Sequence, residues 1–236
     1  MSVTFNNLVS LTDSNVKSNS ISYPIAEKVL DFNLAIDKVF GIIFQNSKTW
    51  QFDDTNHTDY PFIMTDLASG IRDYPFVTDE QGNLILDIYK VMVKISATGL
   101  YQEIKPVDQE SEEYTEGFWN GQNLTGIPTK YDKTANGIFL DCIPSYNATD
   151  GLKVFINREG SYFTTSDTTK KPGFAGLFHE YLALFGSYQY ARRNGLKNQE
   201  TFKRDMLEME NQIEVYYSNR SRDEKQQIIT KYRSSR

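Results

Sequence analysis

The stretch PGFAGLFHEYLALFGSYQYARRNGLKNQETFKRDMLEMENQIEVYY, residues 172–217, decides the fold class. Phe174, Leu177, Phe178, Tyr181, Leu182, Phe185 and Tyr188 recur at spacings of 3, 1, 3, 1, 3 and 3, which predicts one wide buried helical face. Asn194-Gly195 is a helix stop, because glycine takes the left-handed conformation without penalty. Asn198 is placed to cap a second helix, in which Phe202, Met206, Met209, Ile213 and Tyr216 repeat at 4, 3, 4 and 3. The connection is short, so the two helices are expected to be antiparallel neighbours. Toward the N-terminus, Ile25, Val29, Phe32, Ile36, Val39 and Ile43 mark another helix, opened by Pro24 and ending near Asn46–Ser47.

Between these helices the pattern changes. From Trp50 to about Lys171, short apolar runs alternate with turn residues, as strands do. Leu84–Ile95 is expected to pair with Leu100–Val107, and Gly137–Ile143 with Leu152–Asn157 around a Pro144–Gly151 loop. Asp108–Gly126, polar and acidic with Phe118 and Trp119 embedded, reads as a long loop or short helix. The organisation predicted is an N-terminal arm (1–22) with little structure of its own, then residues 23–48 plus 172–217 as a helical bundle. A β-rich insertion fills 49–171, and a basic tail covers 218–236. The fold class is α+β, a helical bundle with an inserted β-rich subdomain.

Composition narrows the functions. The 236 residues carry a formal net charge of −6 and 24% charged residues, and no apolar run approaches the roughly 20 residues of a membrane span. That argues against a membrane protein and against a generally basic nucleic-acid binder. The first residues lack a basic region followed by an apolar core, so no secretory signal is expected. The sequons at Asn56, Asn123, Asn147 and Asn219 are then chance tripeptides. One cysteine, Cys142, rules out an internal disulfide framework. Charge is uneven: residues 218–236 hold six cations against Asp223 and Glu224, which leaves −10 on the rest.

Catalytic patterns are poorly matched. His179-Glu180 opens like a zinc-protease helix, but Ala183 stands where the second histidine belongs. Cys142 lies in an apolar run, where a structural thiol is expected rather than a nucleophile served by His179. No phosphate-cradling glycine motif occurs. Asp53, Asp54, His57 and Asp59 cluster, yet counted from Asp53 the calcium-loop glycine and final acid are replaced by Thr58 and Met64. Glu110, Glu112, Glu113 and Glu116 read as a solvated acidic face rather than a carboxylate pair for glycoside chemistry. No catalytic residue, cofactor or metal is expected.

Several segments together resemble one family. They are Trp50-Gln-Phe-Asp-Asp-Thr-Asn-His-Thr-Asp-Tyr-Pro61, Asp66-Leu67, Gly70-Ile-Arg-Asp-Tyr-Pro-Phe76, Leu100-Tyr-Gln-Glu-Ile-Lys-Pro-Val-Asp108 and Gly126-Ile-Pro-Thr-Lys-Tyr131. Ile138-Phe-Leu-Asp-Cys-Ile-Pro144, Leu152-Lys-Val-Phe-Ile-Asn-Arg-Glu159, Tyr162-Phe163 and Lys171-Pro-Gly-Phe174 continue the colinear string. Over roughly residues 48–225 the chain resembles the head-to-tail adaptor (connector) proteins of short-tailed phages. That group includes tail tubular protein A and, in role, the portal-proximal ring protein of crAss-like phages.

The resemblance implies a structural virion protein at the head–tail junction, assembled in the host cytoplasm as a homo-oligomeric ring of twelve. Its partners would be the portal protein above and other tail or ring proteins below, with DNA passing transiently through the lumen. A lower tail ring or stopper protein is the alternative among structural virion proteins, and a virion-associated hydrolase using the acidic loop at Asp108–Glu116 is the alternative from another class. The basic tail is the expected portal-docking element. Arg220, Arg222, Lys225 and Arg233 would supply charge-assisted contacts, and Ile228, Ile229 and Tyr232 the apolar anchors.

Overall fold

A computed structural model of the chain describes residues 3–46, 56, 60–107 and 124–220. Within them the protein is mixed α+β, with four α-helices and nine strands. The chain divides into two compact units, one formed by Met1–His57 and Gly160–Arg236, the other by Thr58–Glu159.

The first unit carries the helices α1 (Phe5–Val16), α2 (Ile25–Asn46), α3 (Glu180–Asn194) and α4 (Gln199–Arg220). The apolar stripe of α2 buries Phe32, Ile36, Val39 and Ile43 completely, against Tyr181, Leu182 and Ile213 of α3 and α4. Gly195 ends α3 at φ +62°, its N–H donating to the Ala191 carbonyl, as the sequence predicts. Phe178 meets the Tyr216 ring at 5.3 Å, and Tyr181 donates to Glu210 at 2.7 Å. Residues later in α3 therefore face residues earlier in α4, and the two helices are antiparallel.

Three expectations need correction in this unit. Residues 1–22 are not a structureless arm: Phe5–Val16 forms α1, and Phe5 and Leu8 sit in the core. The buried positions Phe5, Leu8, Thr12 and Val16 make a helical stripe in which Thr12 replaces an apolar residue, because its hydroxyl donates to the Leu8 carbonyl at 2.9 Å. The first free N–H groups of α1 donate to the Lys170 and Thr168 carbonyls at 2.8 and 3.1 Å. The α3 region opens with a 3-10 turn at Gly176–Phe178, so its α-helix begins at Glu180 and Leu177 points to solvent, 71% exposed. On α4 the last core position is the fully buried Tyr217, whereas Tyr216 is partly exposed.

The second unit is a seven-stranded sheet in the order β1-β9-β3-β4-β6-β7-β2. The strands are β1 (Phe62–Leu67), β2 (Asp73–Pro75), β3 (Ile85–Lys94), β4 (Tyr101–Pro106), β6 (Lys130–Thr134), β7 (Gly137–Leu140) and β9 (Ala148–Arg158). A separate parallel pair joins β5 (Thr125–Gly126) to β8 (Ile143–Pro144). All neighbours in the large sheet are antiparallel except β4 and β6. Val91, Val93, Ile104, Leu152, Val154 and Ile156 alternate inward to form the core.

The β3–β4 pairing matches the sequence expectation, with Val91 opposite Ile104. The expected hairpin between Gly137–Ile143 and Leu152–Asn157 does not form. β7 pairs with β6 across the two-residue Ala135–Asn136 turn, and β9 pairs with β1 and β3. The reason is composition: β6, KYDKT, is too polar to stand out as a strand, yet its Tyr131 is buried in the core. Cys142 lies in a bend between β7 and β8 and is only half-buried.

Candidate functional site

Of the expected docking residues, Arg220 closes α4, where a cation complements the helix dipole. Arg222, Lys225, Ile228, Ile229, Tyr232 and Arg233 lie outside the described residues, as do the acidic stretch from Asp108 to Glu116 and the Asp53, Asp54, His57 and Asp59 cluster.

Cys142 and His179 belong to different units. Burial, and then the adjacent Asp141 carboxylate, push the Cys142 thiol up to about 11. A thiol in that state carries little thiolate at neutral pH. His179 is buried with both ring nitrogens engaged. Nδ1 accepts from the Val3 N–H at 3.3 Å, and Nε2 lies 2.9 Å from the Phe174 carbonyl, to which it donates. Burial holds its pKa below the ordinary histidine value. The imidazole thus pins the start of the chain onto the start of α3. Among the described residues, no group of three or more His, Cys, Asp or Glu side chains is placed to hold a metal ion.

A cleft of about 170 Å³ in the strand-rich unit is lined by Phe76, Ile85, Ile88, Lys133 and Gly137. It falls short of the roughly 300–1,000 Å³ of small-molecule pockets. The Lys133–Asp87 ion pair, 2.8 Å apart, joins two of its lining residues.

The feature that sequence reading missed is the outward face of the large sheet. Strand alternation turns Phe62, Lys153 and Tyr101 away from the core, and the register sets β1, β9, β3 and β4 side by side. Tyr60 stacks on Phe62 with centroids 5.2 Å apart and planes 5° from parallel. Lys153 lies over Phe62 at 4.6 Å and over Tyr101 at 4.4 Å, and Lys94 covers Tyr101 at 5.4 Å. The result is a ladder, Tyr60–Phe62–Lys153–Tyr101–Lys94, beside a second group in which Lys90 caps Phe155 at 5.5 Å. The Tyr101 hydroxyl donates to the Asp150 carbonyl at 2.5 Å, which fixes the ring. The aromatic and lysine residues were visible in the sequence; their assembly depends on cross-strand register, which was not.

No family model matches the chain, and no curated protein matches it significantly.

Proposed function

We propose that this protein is a structural head-to-tail adaptor, a helical bundle with an inserted β-rich subdomain of the phage adaptor kind. Copies of the chain assemble as a ring between the portal and the lower tail or ring proteins, and DNA passes through the lumen during ejection. The role requires no catalysis.

The observation that carries this reading is the division of the chain. A helical unit assembled from both ends of the sequence brackets a contiguous strand-rich unit, the arrangement that the resemblance to phage adaptors implies. The charge distribution adds to it. An acidic body repels phosphates and lets DNA slide, while the basic segment that begins at Arg220 supplies charge-assisted contacts to a partner.

Electron microscopy of the purified protein mixed with its portal tests the reading. Rings seated on the portal are expected, and portal particles left bare overturn it. Deleting residues 221–236 should leave the melting of the isolated protein nearly unchanged and abolish co-sedimentation with portal. Added salt should weaken the intact complex. Portal binding at full strength after the deletion overturns the docking role of the tail.

A further inference from the structure

The outward face of the large sheet differs in sign from the rest of the molecule. The chain carries −6 overall. On this face, by strand alternation and register, Lys90, Lys94, Lys105 and Lys153 stand against Glu103 and Asp66, with the Asp150 carboxylate close to the Tyr101 ring. Lys90 is paired with Glu103 at 3.1 Å. Lys153, held over two rings, has no carboxylate partner among the described residues. Tyr60, 72% exposed, presents the outer side of its ring to solvent above Phe62.

Interfaces between proteins share the aromatic enrichment of this face but are depleted in lysine. Lysines interleaved with rings on an open sheet suit a polyanion whose bases are free to stack. A duplex keeps its bases inside the stack, where rings on the face of a sheet cannot reach them. The ladder crosses from β1 to β4, three strand spacings or about 14 Å, which accommodates two or three unpaired nucleotides.

We propose that this face binds single-stranded nucleic acid, the rings of Tyr60, Phe62 and Tyr101 stacking on bases and Lys90, Lys94 and Lys153 neutralising phosphates. A lysine head now resting on a ring moves to a phosphate when a base takes its place. The site goes beyond the adaptor reading and stands independently of it, because it rests on the sheet face alone.

Fluorescence anisotropy of a labelled oligothymidylate titrated with the full chain at low salt tests the proposal. Saturable binding is expected, falling with salt at a log–log slope of roughly −2 for the three phosphates that Lys90, Lys94 and Lys153 neutralise. Tyr60→Ala, at an exposed position, should melt like the parent and bind about tenfold more weakly through the loss of one stacked base. Lys153→Gln should weaken binding and make the slope shallower by about 0.7. A flat anisotropy trace overturns the proposal and leaves the face to a protein partner. Parent-like binding by both variants also overturns it and assigns the oligonucleotide to the basic tail. Equal affinity for a duplex of the same length rejects base stacking and overturns it as well.

Discussion

Arg193 grips the buried carboxylate of Asp31 at two points, Nη1 to Oδ1 at 3.2 Å and Nη2 to Oδ2 at 2.7 Å, and so ties α3 to α2. The Tyr23 hydroxyl donates to the same carboxylate. Burial, and then that neighbour, raise the Tyr23 pKa well above the usual phenol range, so tyrosine remains a donor at any working pH. Asp31→Ala removes the shared acceptor. Arg193 stays partly exposed and keeps Glu27 nearby, so the change should cost about 1–3 kcal/mol, the range for hydrogen bonds to a charged group. Urea unfolding followed by circular dichroism measures it. A midpoint equal to the parent's would show that the cluster contributes nothing to stability.

An aromatic and an aliphatic position of the same apolar pattern on the α3 segment should respond very unequally. Phe185 is 8% exposed and packs its ring 6.2 Å from Tyr181. Phe185→Ala should cost about 3–5 kcal/mol. Leu177, on the same apolar pattern but in solvent, should change stability by less than about 0.5 kcal/mol when replaced by alanine. Thermal melts of the two variants check both.

Gly160 is fixed by close approach. A Cβ there would lie 1.5 Å from Cε2 of Phe40, so Gly160→Ala must displace that ring from the core and should cost about 1–3 kcal/mol. Phe40→Leu in the same chain relieves the clash. The double variant should therefore be less destabilised than the sum of the single changes. A double-mutant cycle with strictly additive losses would refute the contact.

Acidification should weaken the helical unit through His179. Its folded pKa lies below the ordinary 6.5 because burial disfavours the cation. Below about pH 6.5 the unfolded chain takes up a proton here that the folded chain refuses. Stability is therefore lost as the pH falls from about 6.5 toward the folded pKa. Asp79 acts in a lower window. Burial raises its pKa, but hydrogen bonds from Asn83, Arg158 and Gln81 outweigh that and hold it below 3.8. Melting temperatures from pH 7.5 to 5 should decline in the parent and flatten in His179→Gln.

The helices α2 and α4 were legible because their core positions are apolar and locally spaced. α1 was not, because Asn6, Asn7, Ser10 and Asp13 dilute its stripe and Thr12 does the work of an apolar residue through a local hydrogen bond. Strand existence could be read around Val91 and Val154. Strand partnership could not, since β9 chooses β1 and β3 over its sequence neighbour β7. The same limit hid the candidate sheet face, whose ladder joins residues from Tyr60 to Lys153 that only register brings together. Gly195 shows the opposite case, a single residue whose backbone freedom announces its role.

The two-segment construction of the helical unit also orders events during synthesis. Phe5 and Phe32 close on Phe163, and Phe40 on Phe174, all across the intervening strands. Once Glu159 has left the ribosome, the complete Thr58–Glu159 sheet is available to form, but until the residues beyond Gly160 emerge the first two helices lack most of their core. At about 5–20 residues per second that wait lasts on the order of several seconds. Throughout it, the apolar stripe of α2 is the surface a chaperone meets on the nascent chain.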